Sequence, residues 1–240
     1  MDAKKEYYLT FIKKEKISRD AYSFYFTRAF DFLPGQYIRM TLDIENPDER
    51  GMPRSFTISS SPLEDYITIT TRIIQSSFKK KLESLIPGTK VKFFGPMGSF
   101  LFNKEDKTPR VFLAGGIGIT PFHSMITYAN AKKLAIPVTL FVSFSAVDEV
   151  IFKEELEEIS KNNPNIKIIY TITYLEDPKD NWKGETGRIS ESLIKKYIPN
   201  VSTPIYYIAG PPKMVEAMVR IVKNMGVSDE KIKTENFIGY

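Results

Sequence analysis

RVFLAGGIGITPFHSM, residues 110–125, decides the fold of this chain. Val111, Phe112, Leu113 and Ala114 form a short, unbroken apolar run, as expected of a strand buried on both faces of a parallel sheet. Gly115, Gly116 and Gly118 then remove side chains where the backbone must turn sharply. Thr120 and Pro121 follow as a helix start, a capping hydroxyl with proline at the first helical position. Strand, glycine turn and helix N-terminus together suit a pyrophosphate, because bare N–H groups and the helix dipole point at the anion. The glycines read G-G-x-G, so the Rossmann spacing G-x-G-x-x-G is not met. Taken alone, the stretch is also compatible with a tight turn that holds no ligand.

Downstream of this stretch, strands and helices alternate. Apolar runs predict strands at 111–114, 138–144, 166–172, 205–209 and 231–235. Helical periodicity covers 121–134, 152–161, 190–196 and 212–225. That pattern predicts a five-stranded parallel sheet with helices on both faces, whose ligands lie beyond the carboxyl ends of the strands. Upstream, residues 7–16, 21–27, 36–42, 54–59, 66–73 and 90–94 read as strands rich in aromatic and β-branched residues. One helix interrupts them at 76–85, with Phe78, Leu82 and Leu85 on one face and Pro87-Gly88 ending it. Six short strands with one helix predict a small antiparallel β-barrel. The charged, proline-containing segment 103–109 separates the two patterns, giving two domains at 1–104 and 105–240.

Composition narrows the function classes. The chain has 240 residues, of which 42% are hydrophobic and 26% charged, enough for two medium domains. It contains no cysteine, which excludes disulfides, thiolate-ligated zinc and cysteine-held iron–sulfur clusters within it. A single histidine, His123, speaks against a histidine-rich metal site, and no metal is expected. His123 and Trp182 read as helix-face or packing residues. No apolar run reaches the ~20 residues of a membrane span, and the N-terminus is no signal peptide, so a cytoplasmic protein is expected. The net charge of +5 is modest and the lysines are scattered, with 79–81 the densest run. Nucleic-acid binding would need a clustered basic face. A basic face for an acidic protein partner fits better.

Two further stretches carry chemistry. Arg54-Ser55-Phe56-Thr57 sets a cation, an aromatic and a hydroxyl along one strand. Strand twist and barrel curvature can turn them toward one flat, phosphorylated ligand, although an exposed Arg beside a core Phe is the plainer reading. Ser76-Ser77-Phe78 opens a helix with hydroxyls, either a phosphate site or an ordinary N-cap.

With these pieces in view, the chain resembles the ferredoxin–NADP reductase-like flavoproteins over essentially its full length. The pieces stand in family order: PGQY at 34–37, RSFT at 54–57, SSFK at 76–79, GPMGSF at 95–100, GGIGITP at 115–121, AGPPKM at 209–214 and ENFIGY at 235–240. The resemblance implies an FAD-binding barrel followed by an NAD(P)-binding α/β domain. It implies that Arg54 pairs with the FAD pyrophosphate, a role that suits a guanidinium fork. It places Phe56 against the isoalloxazine, Thr57 near its reactive nitrogen, and backbone groups of Ile58 and Ser59 at its polar edge. Tyr37 and Ser55 belong to the same cofactor set, and Ser76 or Ser77 holds a flavin phosphate. Gly115, Gly116, Gly118, Thr120 and Pro121 would cradle the pyrophosphate of the nicotinamide dinucleotide, and Gly210, Pro211 and Pro212 would shape its nicotinamide pocket. The catalytic residues so implied are Thr57 and Phe237, with Phe237 covering the flavin and Tyr240 over the domain interface or the FAD adenine.

The implied reaction is hydride transfer between NAD(P)H and FAD, with electrons passing to a ferredoxin, flavodoxin or oxygenase component on a separate chain. A free-flavin or quinone-type reductase and a non-catalytic nucleotide-binding subunit are the alternatives. Two departures matter. Ala209 stands where many relatives carry a cysteine. No Arg follows the second parallel strand at 143–146, where NADP-preferring relatives often have one to meet the 2′-phosphate. Lys153 and Arg188 are the nearest candidates, Asp148 and Glu149 would repel, and the balance leans to NADH.

Overall fold

A computed structural model describes residues 5–49, 53–175 and 182–238. The N-terminal half forms a six-stranded antiparallel sheet from β1 (Lys5–Lys16), β2 (Ala21–Thr27), β3 (Tyr37–Thr41), β4 (Arg54–Thr57), β5 (Tyr66–Arg72) and β6 (Lys90–Met97), ordered β4-β3-β6-β1-β2-β5. The sheet curls until its outer strands meet, the Ser59 N–H donating to the Thr68 carbonyl at 2.9 Å. Inward-facing Leu9, Phe11, Phe24, Phe26, Ile38, Met40, Ile67, Ile69 and Phe93 fill the near-barrel, and α1 (Ser77–Glu83) plugs it with Phe78 and Leu82. Alternation of buried and exposed positions along β6 shows why these residues form strands: each second side chain reaches the core.

The second half is a parallel sheet of β7 (Arg110–Gly115), β8 (Val138–Phe144), β9 (Ile166–Ile172), β10 (Glu185–Thr186), β11 (Ile205–Gly210) and β12 (Ile232–Asn236), ordered β10-β9-β8-β7-β11-β12. It has six strands where five were predicted. The addition, β10, is a two-residue edge strand on β9, too short to show any periodicity. Helices α2 (Thr120–Ala131) and α3 (Lys153–Asn162) cover one face, and α4 (Glu191–Tyr197) and α5 (Pro212–Asn224) the other. Phe112, Ala114, Leu140 and Val142 pack toward α2 and α3, while Val111, Leu113 and Phe141 pack toward α4 and α5. Both faces of the sheet are therefore apolar, which is why its strands read as unbroken runs. Among the described residues no helix is long and apolar enough to cross a membrane.

Three local differences have physical reasons. The glycine stretch first makes a 3₁₀ turn, Gly116–Ile119, before α2 begins. The Thr120 hydroxyl donates to the Ile117 carbonyl at 3.0 Å instead of capping an N–H, so the predicted cap is not formed. Helix α2 stops short of residue 134 because Lys133 takes a left-handed φ of 50°. The strand order changes direction at β7, between β8 and β11, so the glycine turn lies at the topological switch point where open α/β sheets bind ligands.

Candidate active site

A cleft of about 420 Å³ opens where the barrel meets the carboxyl edge of the parallel sheet. Tyr37, Arg54, Ser55, Phe56, Thr57, Ser76 and Lys79 line it from the barrel side. Thr120 enters from the start of α2, and Glu235, Asn236, Phe237 and Ile238 enter from the end of β12. Residues 181 positions apart in sequence, such as Arg54 and Glu235, thus line one cleft.

Arg54 is oriented by an ion pair to Asp48 and lies over the Phe78 ring at 5.7 Å. Its Nε is buried with no hydrogen-bond partner. Lys79, also buried, hydrogen-bonds the Thr71 hydroxyl and holds its ammonium 4.9 Å above the Phe56 ring. Two cations therefore face one end of the cleft. Phe56 is only 5% exposed and belongs to the barrel core, so the half-buried rings offered to a ligand are those of Tyr37 and Phe237. Ser76 and Ser77 part company. The Ser76 hydroxyl accepts from the Lys79 N–H at 3.1 Å and lines the cleft, whereas that of Ser77 accepts from the Asp48 N–H at 2.9 Å and faces a separate, shallower depression.

Sequence reasoning missed Glu235. Its carboxyl lines the cleft, one oxygen is buried without a hydrogen-bond partner, and burial pushes its pKa up to about 7. No pattern in the residues around it signals this. Ile58 and Ser59 are placed away from the cleft. Their N–H groups are spent on the Gln36 and Thr68 carbonyls, and the Ser59 carbonyl faces His123.

Gly115, Gly116 and Gly118 turn the chain beside Gly210, and only Thr120 of that group reaches the cleft itself. Gly116 has φ of 52°, and a Cβ added there would meet nothing within 4 Å, so its backbone is open to a ligand. At Gly118 a Cβ would stand 2.4 Å from the Ala209 carbonyl oxygen, which locks the turn against β11. Pro121 is buried at the start of α2, while Pro211 and Pro212 are exposed. The Gly210 carbonyl accepts from the Phe237 N–H at 2.9 Å, tying the aromatic segment to the turn. Tyr240 lies outside the described residues.

The acidic pair expected to repel a 2′-phosphate is otherwise engaged. Asp148 pairs with Arg19 at 3.3 Å, and Glu149 pairs with Arg19 and, at 3.5 Å, Arg72. Both carboxylates point at the barrel, so their charge near the end of β8 is offset. Lys153 is held by Glu157 at 3.7 Å and by the Trp182 ring at 5.5 Å, and Arg188 is exposed.

The donor set fits a flavin dinucleotide. Two of the five buried side-chain polar atoms left without a partner among the described residues, Arg54 Nε and a Glu235 oxygen, line this one cleft. Unpartnered buried groups of this kind are costly unless something supplies the missing bond. A cationic end suits phosphates, and half-buried rings suit a planar heterocycle.

Comparison with known proteins agrees. Residues 8–102 match the oxidoreductase FAD-binding domain and residues 112–220 the oxidoreductase NAD-binding domain. A Na(+)-translocating NADH-quinone reductase subunit of Klebsiella pneumoniae is 35% identical over 161 residues, a match covering 65% of this chain and 39% of the relative. The same subunit of Haemophilus influenzae is 34% identical, with 65% of this chain and 38% of the relative covered. The chain thus spans about two fifths of these relatives. Among solved structures, a ferredoxin NADP+ reductase from Neisseria gonorrhoeae with bound FAD and NADP superposes with a TM-score of 0.81 at 20% identity, covering 98% of this chain and 99% of that one. The Amycolatopsis cytochrome P450 reductase gives 0.83 at 21% identity, with 97% and 70% covered. At that identity the likeness concerns the fold.

Proposed function

Because the chain belongs to the ferredoxin–NADP reductase-like family of FAD- and NAD-binding oxidoreductases, we propose that it moves electrons from a nicotinamide dinucleotide, through FAD in this cleft, to an electron-transfer protein on a separate chain. In this reading residues 1–104 hold FAD and residues 105–240 hold the nicotinamide dinucleotide. FAD, when bound, supplies a ring that takes up a hydride and releases electrons one or two at a time.

The chain's own residues bind, orient and seal. Arg54 Nε–H donates to a phosphate while Asp48 keeps the guanidinium aimed. Lys79 adds a second positive charge, and Ser76 stands at the same end. Thr57 offers a hydroxyl along the strand from Arg54. Tyr37 and Phe237 contribute ring surface, and Phe237 must yield when a second planar group enters. The open backbone at Gly116 takes the pyrophosphate of the nicotinamide dinucleotide. Glu235, with a pKa of about 7, can hold or release a proton near neutral pH without a change of partner.

The observation that carries the reading is the meeting of the Arg54–Thr57 strand, Thr120 and Phe237 in one cleft at the switch point. It supports a flavin-type and a nicotinamide-type subsite side by side, as positioning for hydride transfer requires. The curated relatives carry NADH in their name, which supports NADH as donor. The test is direct. The purified protein should be yellow and bleach on adding NADH, and reoxidation should be faster with a ferredoxin or flavodoxin than with free FMN. With Lys153 already engaged and no Arg at 143–146, kcat/KM for NADPH should exceed that for NADH by no more than about tenfold, or ~1.4 kcal/mol. Failure to bleach with either nucleotide would overturn the proposal.

A further inference from the structure

His123 is the only histidine in the chain, and it sits on α2 facing the barrel. Its Nδ1 lies 2.7 Å from the Ser59 carbonyl oxygen and its Nε2 lies 2.8 Å from a Glu155 carboxylate oxygen. Both partners are pure acceptors. A neutral imidazole carries one N–H and can satisfy one of them, so only the imidazolium donates to both. The neighbouring Ser124 hydroxyl donates to the Ser60 carbonyl at 2.6 Å. Consecutive residues of α2 thus grip consecutive carbonyls just beyond the Arg54–Thr57 strand.

A second observation concerns α3. Phe152, which immediately precedes it, adopts a left-handed φ of 59°, strained for a bulky side chain. That conformation lays the Phe152 ring on the imidazole, with centroids 3.9 Å apart and planes 25° apart. An aromatic face is a favourable neighbour for a cation. The same turn launches the helix that carries Glu155.

We propose that His123 is a positioning residue, an imidazolium clamp that fixes the nicotinamide half of the site against the flavin half. One turn before it, Thr120 lines the cleft; two residues before Ser59, Thr57 lines it from the other side. The clamp therefore joins the two walls between which the hydride passes, and this part of the argument rests on the function proposed above. Losing one proton from the ring breaks one of the two grips.

The charges around the ring favour its protonated form. Burial alone would lower its pKa, but Glu155 on α3, the Ser59 carbonyl and Glu64 from the loop before β5 outweigh it, and the net direction is upward. Glu155 is correspondingly held below its ordinary range by His123. Glu64, hydrogen-bonded to the Ser61 N–H at 2.6 Å, is itself raised by burial, and Tyr66 beside it is raised as well. A raised folded-state value means that the clamp is complete below the ordinary histidine range and is lost as pH climbs through the folded value.

The experiment uses the full chain. Because the histidine is unique, its ring nitrogen signals in ¹⁵N NMR need no assignment. The expected result is an imidazolium persisting above the ordinary pKa of 6.5, with Glu155→Gln moving the titration to lower pH. In parallel, the rate of flavin reduction by NADH is followed against pH. It should fall through the His123 titration in the natural protein and fall earlier in Glu155→Gln. His123→Gln should lack that limb and run about ten- to a hundredfold slower, the cost of a small misplacement of reacting groups. A ring carrying a single proton at neutral pH, or a titration unmoved by Glu155→Gln, overturns the clamp. A reduction rate that stays flat while the ring titrates overturns the positioning role. If no nicotinamide dinucleotide reduces the flavin at any pH while the imidazolium is intact, the functional reading has failed, and the positioning role falls with it.

Discussion

Arg54 brings to the cleft a buried Nε–H without a partner, in a guanidinium that Asp48 already orients. Arg54→Ala removes a charge-assisted donor worth ~1.5–3 kcal/mol. The FAD dissociation constant should then rise about ten- to a hundredfold, and the protein should purify largely colourless; flavin fluorescence titration checks this. Glu235 poses the opposite problem, one buried carboxyl oxygen with no donor to accept from. Burial raises its pKa from 4.5 to about 7, so the folded state binds this proton more tightly than the unfolded chain does. Stability must therefore fall as pH rises across that interval, and the loss is complete above it. Glu235→Gln, which cannot ionise, should flatten this dependence. Urea midpoints of the flavin-free protein, measured at several pH values for both forms, decide the matter, and parallel curves would show that the carboxyl finds a partner when charged.

At the scale of elements, the glycine turn combines two constraints that the sequence displays alike. Gly118 is excluded from bearing a side chain by the Ala209 carbonyl, whereas Gly116 is constrained only by its left-handed φ, with open space around it. Gly118→Ala should cost ~1–3 kcal/mol by overpacking against backbone, lowering Tm by roughly 3–10 °C in a protein of this size. Gly116→Asn, a residue that tolerates that conformation, should lower Tm less, and thermal melts of the two variants test the ranking. The example shows what was legible. Predicted strands at 138–144 and 166–172 match β8 and β9 residue for residue, because a strand buried on both faces writes its burial into its own composition. The two-residue β10, the 3₁₀ turn and the spent Thr120 hydroxyl left no periodic trace. The RSFT strand could be read as chemistry from residue types alone. Glu235 and Lys79, which line the same cleft, stand in parts of the chain far from that strand and join it only through the fold. His123 looked like helix packing for the same reason, since both of its acceptors lie outside its own helix.

For the molecule as a whole, the question is whether the barrel and the parallel sheet hold together independently of their ligands. Phe100 and Phe102, which follow the last barrel strand, belong to the core of the α/β half, packing on Phe112, Phe122 and Tyr207. The Tyr207 hydroxyl donates to the Leu101 carbonyl at 3.0 Å. The charged segment that reads as a linker is wrapped around the buried Arg110 guanidinium, which donates to the Asn103, Asp106 and Thr108 carbonyls. On the far side, Arg19 and Arg72 reach Glu149, which is 9% exposed. Exposed pairs alone would add little, but the barrel's Ala21 and the connecting Phe100 and Phe102 are buried in the core of the α/β half, so opening the halves would uncover aromatic surface. The flavin-free protein should therefore unfold in one transition, with circular dichroism and intrinsic fluorescence melting together. Phe100→Ala should cost ~3–5 kcal/mol and separate the two signals, because it removes the ring that bridges Phe122 and Tyr207. Two resolved transitions in the natural chain would mean that the shared core does not couple the halves, and the cleft between them would then depend on bound cofactor for its shape.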